Sequence, residues 1–175
     1  MSTDPRVALI DYAGGVAGTD NFLGHYPQLL RAFDDLYATV WNDGEVDHAT
    51  KEVARMRNAR KTECGYCSQV RFSVARAEGL SEDVVSLISD EFDETELDPR
   101  YKDIIRWVDA YLLDPSKVDP RVRADVKAHL GAGGEVELAC ALAIFRAFGK
   151  TLITLGLEPK PGAMPVAIYA TPGSA

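Results

Sequence analysis

Apolar residues in this chain recur at helical spacing over almost its whole length, with no convincing run in the alternation of a half-buried strand. In "NFLGHYPQLLRAFDDLYATVW", Leu29, Leu30, Phe33, Leu36, Tyr37 and Val40 follow that spacing, predicting a helix from Asn21 to about Trp41. A second is predicted from about Val46 to Ala59, with Val46, Ala49, Val53 and Met56 on one stripe. A third runs from Thr62, a capping residue type, to Gly79, a C-terminal glycine. Ser81 caps the next, Pro99 opens "RYKDIIRWVDAYLL", and Asp119 with Pro120 starts another. "GAGGEVELACALAIFRAFGKTLITLGLEP" is the longest and most apolar segment, which places it at the bundle centre or a subunit interface. Residues 1–20 read as irregular and 159–175 as an extended tail. The expectation is an all-α helical bundle forming a single domain over 1–175.

Size and charge narrow the function. A chain of 175 residues can bury a sizeable core, and a net charge of −8 argues against nucleic acid or an acidic membrane surface as partner. No stretch reads as the roughly 20 apolar residues of a membrane span, and "VALI" is too short for a signal sequence. Three cysteines, an odd number, do not make a secreted disulfide framework. A cytoplasmic protein is therefore expected, and there a Cys-x-x-Cys pair stays reduced unless it is being turned over.

That pair lies in "TECGYCSQVR". Such a pair binds metal, cycles between dithiol and disulfide, or packs. Structural zinc needs four ligands, and Cys140, His25, His48 and His129 are scattered, so neither metal nor cofactor is expected. The redox reading has more support. On a helix starting at Thr62, Cys64 and Cys67 share a face at i and i+3. A helix N-terminus lowers a thiol's pKa, and Arg60, Lys61 and Arg71 add positive charge. If the second and third helices form a hairpin turning near Lys61, Glu52 lies level with a point between Cys67 and Arg71. A carboxylate there could act as base for Cys67, or form a structural ion pair with Arg71. His48, four residues before Glu52, is a further candidate relay. Cys140 reads as a small buried hydrophobe, Tyr66 as packing, Trp41 and Trp107 as core, and "RMRNARK" as a solvated helix end.

The run "KEVARMRNARKTECGYCSQVRFSVARAEGLSEDVV" resembles the alkylhydroperoxidase D-like/carboxymuconolactone decarboxylase family, and the resemblance extends over about residues 22–158. Glu52, Cys64 and Cys67 match the spacing of its redox branch. The resemblance implies an all-helical bundle with Cys67 as nucleophile toward a peroxide or disulfide, Cys64 as resolving thiol and Glu52 as base. It further implies a lipoylated or other dithiol protein as electron donor, and assembly as trimers or hexamers. The family's relay histidine is Arg71 here, and an always-protonated guanidinium cannot pass a proton at neutral pH. Two alternatives stay open: a decarboxylase or lactone-acting enzyme, with Arg71 holding a substrate carboxylate, and a non-enzymatic protein with inert cysteines.

Overall fold

A computed structural model describes residues 6–7, 20–157 and 166–170. Helices α1 (Asp20–Leu23), α2 (Pro27–Asn42) and α3 (His48–Lys61) lead to a short α4 (Gly65–Gln69), strand β1 (Val70–Phe72) and α5 (Ser73–Ala77). After these come α6 (Glu82–Ser86), α7 (Pro99–Leu113), α8 (Pro120–Leu155) and strand β2 (Ala167–Tyr169). The fold is an all-α bundle, as expected. The irregular reading of 1–20 falls almost wholly outside the described residues.

The centre of the bundle is α3. Every residue from Ala49 to Ala59 is buried, and α7 and α8 pack on α3 and on each other. Val53, Ala54, Ile104, Ile105, Val108, Leu138 and Leu142 belong to the core they share. The expectation had placed α8 at the bundle centre or at a subunit interface, and the first of these is corrected. Instead α8 covers one side of α3 and leaves Val136 and Cys140 exposed, so Cys140 is not the buried hydrophobe it read as. By length and mean hydropathy α8 passes for a membrane span, a character that the sequence reading had assigned to no segment. A core helix of a bundle passes the same test.

"RMRNARK" is also internal up to Arg60 rather than solvated, and only Lys61 at its end is exposed. Arg57 donates to both oxygens of Asp109 (2.7 and 2.5 Å) and lies over the Phe92 ring. Arg60 reaches the Ile88 and Val85 carbonyls. Lys51, 1% exposed, pairs with Glu137 at 2.6 Å. That carboxylate also accepts from the Glu45 and Val46 amides, and it passes so close to Gly44 that a Cβ there would lie 2.0 Å from it.

Two predicted helices are broken. Pro27 has no N–H to donate to a continuing helix and biases Tyr26 toward extended backbone (φ −134°, ψ 83°), so α2 restarts with proline in its first turn. The segment Thr62–Gly79 holds two five-residue helices separated by β1, which pairs in parallel with β2: Val70 opposite Ala167, Arg71 opposite Ile168, Phe72 opposite Tyr169. Hydrogen bonds from a distant part of the chain replace helical ones there, so tertiary pairing overrides the local pattern.

Asp47 caps α3, accepting from the Thr50 amide (2.8 Å) and hydroxyl (3.0 Å), and it pairs with Arg100. Partial burial pushes its carboxyl upward, but the Thr50 bonds and Arg100 outweigh that and hold it below its ordinary 3.8. A carboxyl with a depressed folded-state pKa contributes stability above its unfolded pKa and loses it as pH falls through the folded value. Asp47→Asn should therefore flatten the acid limb of the unfolding midpoint below about pH 4. Identical acid limbs for variant and parent in thermal unfolding would remove this cap from the account.

Candidate functional site

The site begins where α3 stops. Thr62 Oγ1 donates to the Asn58 carbonyl (2.7 Å), closing the helix, and Glu63 turns the chain with a left-handed φ of 55°. Thr62 thus ends one helix, and Cys64 caps the next: its Sγ accepts from the Cys67 amide at 3.2 Å. Cys64 and Cys67 are joined as a disulfide with Cα atoms 5.3 Å apart. The pair does stand at the start of a helix, though one of only five residues.

The disulfide is lodged in an apolar cluster with Phe22, Ala59 and Leu152. Gly149 of α8 lies directly against it. A Cβ there would sit 3.7 Å from Cys67 Sγ and 3.8 Å from Thr62 Oγ1, so any side chain longer than a methyl would press into the sulfurs. Cys64 is fully buried, whereas Cys67 is 7% exposed. Of the two sulfurs, that of Cys67 belongs to the residue nearer solvent.

Glu52 is buried nearby, but its partner is Arg55 and not Arg71. The Arg55 fork grips both carboxylate oxygens, Nε to Oε2 at 2.6 Å and Nη2 to Oε1 at 2.7 Å. The same guanidinium donates to the Cys67 carbonyl at 2.7 Å and the Val70 carbonyl at 2.5 Å, and it lies over the Phe72 ring. Burial opposes the charge on Arg55, yet the Glu52 carboxylate more than restores it, so its pKa is raised. Arg55 therefore ties the carboxylate to the backbone of the cysteine turn. It was not among the residues singled out from sequence. Its signal was the i,i+3 spacing from Glu52 on one helix face, the spacing at which a carboxylate and a guanidinium meet.

The other candidates are placed apart from this link. Arg71, on β1 and 5% exposed, pairs with Glu82 through Nε and Nη2 (both 3.1 Å) and donates to the Ser68 and Val70 carbonyls. The extended backbone at 70–72 takes it off the helix on which a relay position would follow Cys67 by one turn. His48 stacks on Trp41, centroids 5.9 Å apart, and its Nδ1 is buried without a hydrogen-bond partner. Tyr66, inside the motif, hydrogen-bonds to Tyr169 of β2, and burial followed by that neighbour pushes its hydroxyl well above the ordinary range. The tail is thereby fastened beside the cysteines. Trp41 and Trp107 are core residues, as read. Among the described residues, no group of three or more His, Cys, Asp or Glu side chains is arranged to hold a metal ion.

A cysteine pair at a short helix, packed beneath the long helix of an all-α bundle, defines the class: an alkylhydroperoxidase D-like fold. Residues 27–110 match the family model described as carboxymuconolactone decarboxylase family. A protein of unknown function from Agrobacterium tumefaciens, provisionally named as the antioxidant defence protein AhpD, superposes with a TM-score of 0.66 at 18% identity. That match covers 84% of this chain and 97% of the other. An uncharacterized peroxidase-related protein from Ralstonia eutropha, described as an alkylhydroperoxidase AhpD core, gives a TM-score of 0.68 at 17% identity, covering 80% and 75%. Uncharacterized proteins of two Mycobacterium tuberculosis strains are 26% identical over 149 residues, which is 85% of this chain. The matched region spans about half (52%) of their length.

Proposed function

We propose that the protein is a thiol-disulfide oxidoreductase that reduces a hydroperoxide or a partner disulfide through Cys64 and Cys67. The observation that carries this reading is a bonded Cys64–Cys67 pair whose turn is hydrogen-bonded, through Arg55, to the buried carboxylate of Glu52. In the reduced protein the Cys67 thiolate attacks a peroxide oxygen. An S–O bond forms, the O–O bond breaks, and the alkoxide leaves as alcohol after taking a proton. Cys64 then displaces water from the resulting sulfenic acid, giving the disulfide. A dithiol donor, lipoylated or otherwise, returns two electrons and two protons. Glu52 receives the Cys67 proton directly or through water; each of its oxygens, although held by Arg55, keeps a free lone pair. With a partner disulfide the same thiolate attacks sulfur, passing through a mixed disulfide. Assembly into trimers or hexamers and a cytoplasmic location belong to the same proposal.

One observation favours a second reading. The pair is almost wholly buried in an apolar cluster, an environment in which cysteines are inert and thiol pKa values rise. The decarboxylase alternative has less support, because Arg71 is buried and already engaged by Glu82. Alkylation of the reduced protein across pH, with a glutathione redox titration, separates the first two readings. A thiol titrating well below the free value of about 8.5, with a reversible disulfide, is the expected result. A thiol titrating at or above that value, or a pair that glutathione leaves unchanged, would favour inert cysteines. Hydroperoxide and disulfide substrates then test the activity itself.

A further inference from the structure

Where α3 and α7 end against α8, a cavity of about 360 Å³ is lined by Lys61, Asp109, Leu112, Leu113 and Arg146. Three of these carry charge, and two have their counter-ion in place. Asp109 is held by the Arg57 fork, and Lys61 pairs with Asp90 at 2.7 Å. Arg146 is half-buried on α8 and has no hydrogen-bond or ion-pair partner among the described residues. An unmatched guanidinium in a cleft is notable in a chain with a net charge of −8.

The rest of the lining is apolar. Leu112 and Leu113 form it, and Leu113 is 89% exposed. Charge and apolar surface together describe an amphipathic ligand with one negative end. Asp109 and the carbonyl ends of α3 and α7 border the same space and disfavour a doubly charged anion such as a phosphate. A planar guanidinium suits a carboxylate, which it binds through two parallel hydrogen bonds.

We propose that this cleft binds an aliphatic monocarboxylate, with its head at Arg146 and Lys61 and its chain along Leu112 and Leu113. Arg146 lies one helical turn before Gly149, and Lys61 directly precedes Thr62, both of which pack at the cysteines. Binding itself requires no chemistry at sulfur, so the proposal stands whether or not the cysteines turn over.

The test is an amide NMR titration of the full-length oxidised protein with hexanoate, alongside hexanamide as its uncharged counterpart. Saturable shifts at Lys61, Leu112, Leu113 and Arg146 are expected with hexanoate, and binding weaker by about tenfold or more with hexanamide. Arg146→Gln, which breaks no existing contact, should weaken hexanoate binding by a similar factor, whereas Arg31→Gln on the exposed face of α2 should not. Absence of saturable shifts, equal binding of acid and amide, or an unchanged affinity in Arg146→Gln would each overturn the proposal.

Discussion

Replacing Arg55 with alanine is expected to lower the protein's stability by about 3–5 kcal/mol. The change strips the counter-ion from Glu52, 1% exposed, and removes the Arg55 donor from the Cys67 carbonyl and one of the two donors from the Val70 carbonyl. A buried carboxylate left alone is costlier than the ion pair was favourable, because its desolvation is no longer offset. For a domain of this size the loss corresponds to about 6–20 °C in unfolding midpoint. Urea unfolding with the disulfide intact reads it directly. Arg55→Lys should fall between, since an ammonium keeps the charge but cannot grip two carboxylate oxygens and two carbonyls with one planar fork. A loss below about 1 kcal/mol in Arg55→Ala, the value of an exposed pair, would mean that Glu52 reaches water and that the link to the cysteine turn is not structural.

The second large effect is an asymmetry between the two cysteines, and it rests on the proposed redox chemistry. Cys67→Ser should abolish hydroperoxide reduction, because the attacking sulfur is gone. Cys64→Ser should retain a single turnover and stop at a sulfenic acid on Cys67, which dimedone would label. Multiple turnover should be lost in both. The basis is positional: Cys64 is fully buried, whereas Cys67 is the less enclosed of the two. The reverse pattern, with sulfenic acid trapped on Cys64, would exchange the two roles. Equal activity in both variants and the parent would end the redox proposal. Stability serves as an independent control, since the disulfide closes only a four-residue loop and contributes about 2 kcal/mol or less in the chain-entropy account. Both variants should therefore fold.

Legibility of the fold followed the range of the interactions involved. The caps were local and readable: Ser81 accepts from the Val84 amide, and Asp119 precedes Pro120 at the start of α8. The stripe of Val46, Ala49, Val53 and Met56 is buried, as its spacing implied. On the other faces of α3, Glu52 was read as a candidate beside the cysteines, but the charges of "RMRNARK" were misread as solvent-exposed. Lys51, Glu52, Arg55 and Arg57 are all internal, and each finds its partner within the bundle: Glu137 for Lys51, Asp109 for Arg57, and the two remaining residues for each other. For Glu137 and Asp109 the partner lies far away in sequence, so local pattern could not reveal it. The break at 70–72 has the same origin, since the strand opposite β1 is supplied by the far tail.

The sequence by itself determined the bundle, the position of the cysteine pair at a helix start, and the presence of a carboxylate, Glu52, on the helix before it. Those features follow from spacing along one or two helical turns. The tertiary structure alone decided which charges meet. It gave Glu52 to Arg55 and Arg71 to Glu82, put α3 rather than α8 at the centre, and seated Gly149 on the disulfide. The physical reason is that a buried charge is tolerable only beside its partner, and which partner is near is settled by how helices distant in sequence pack.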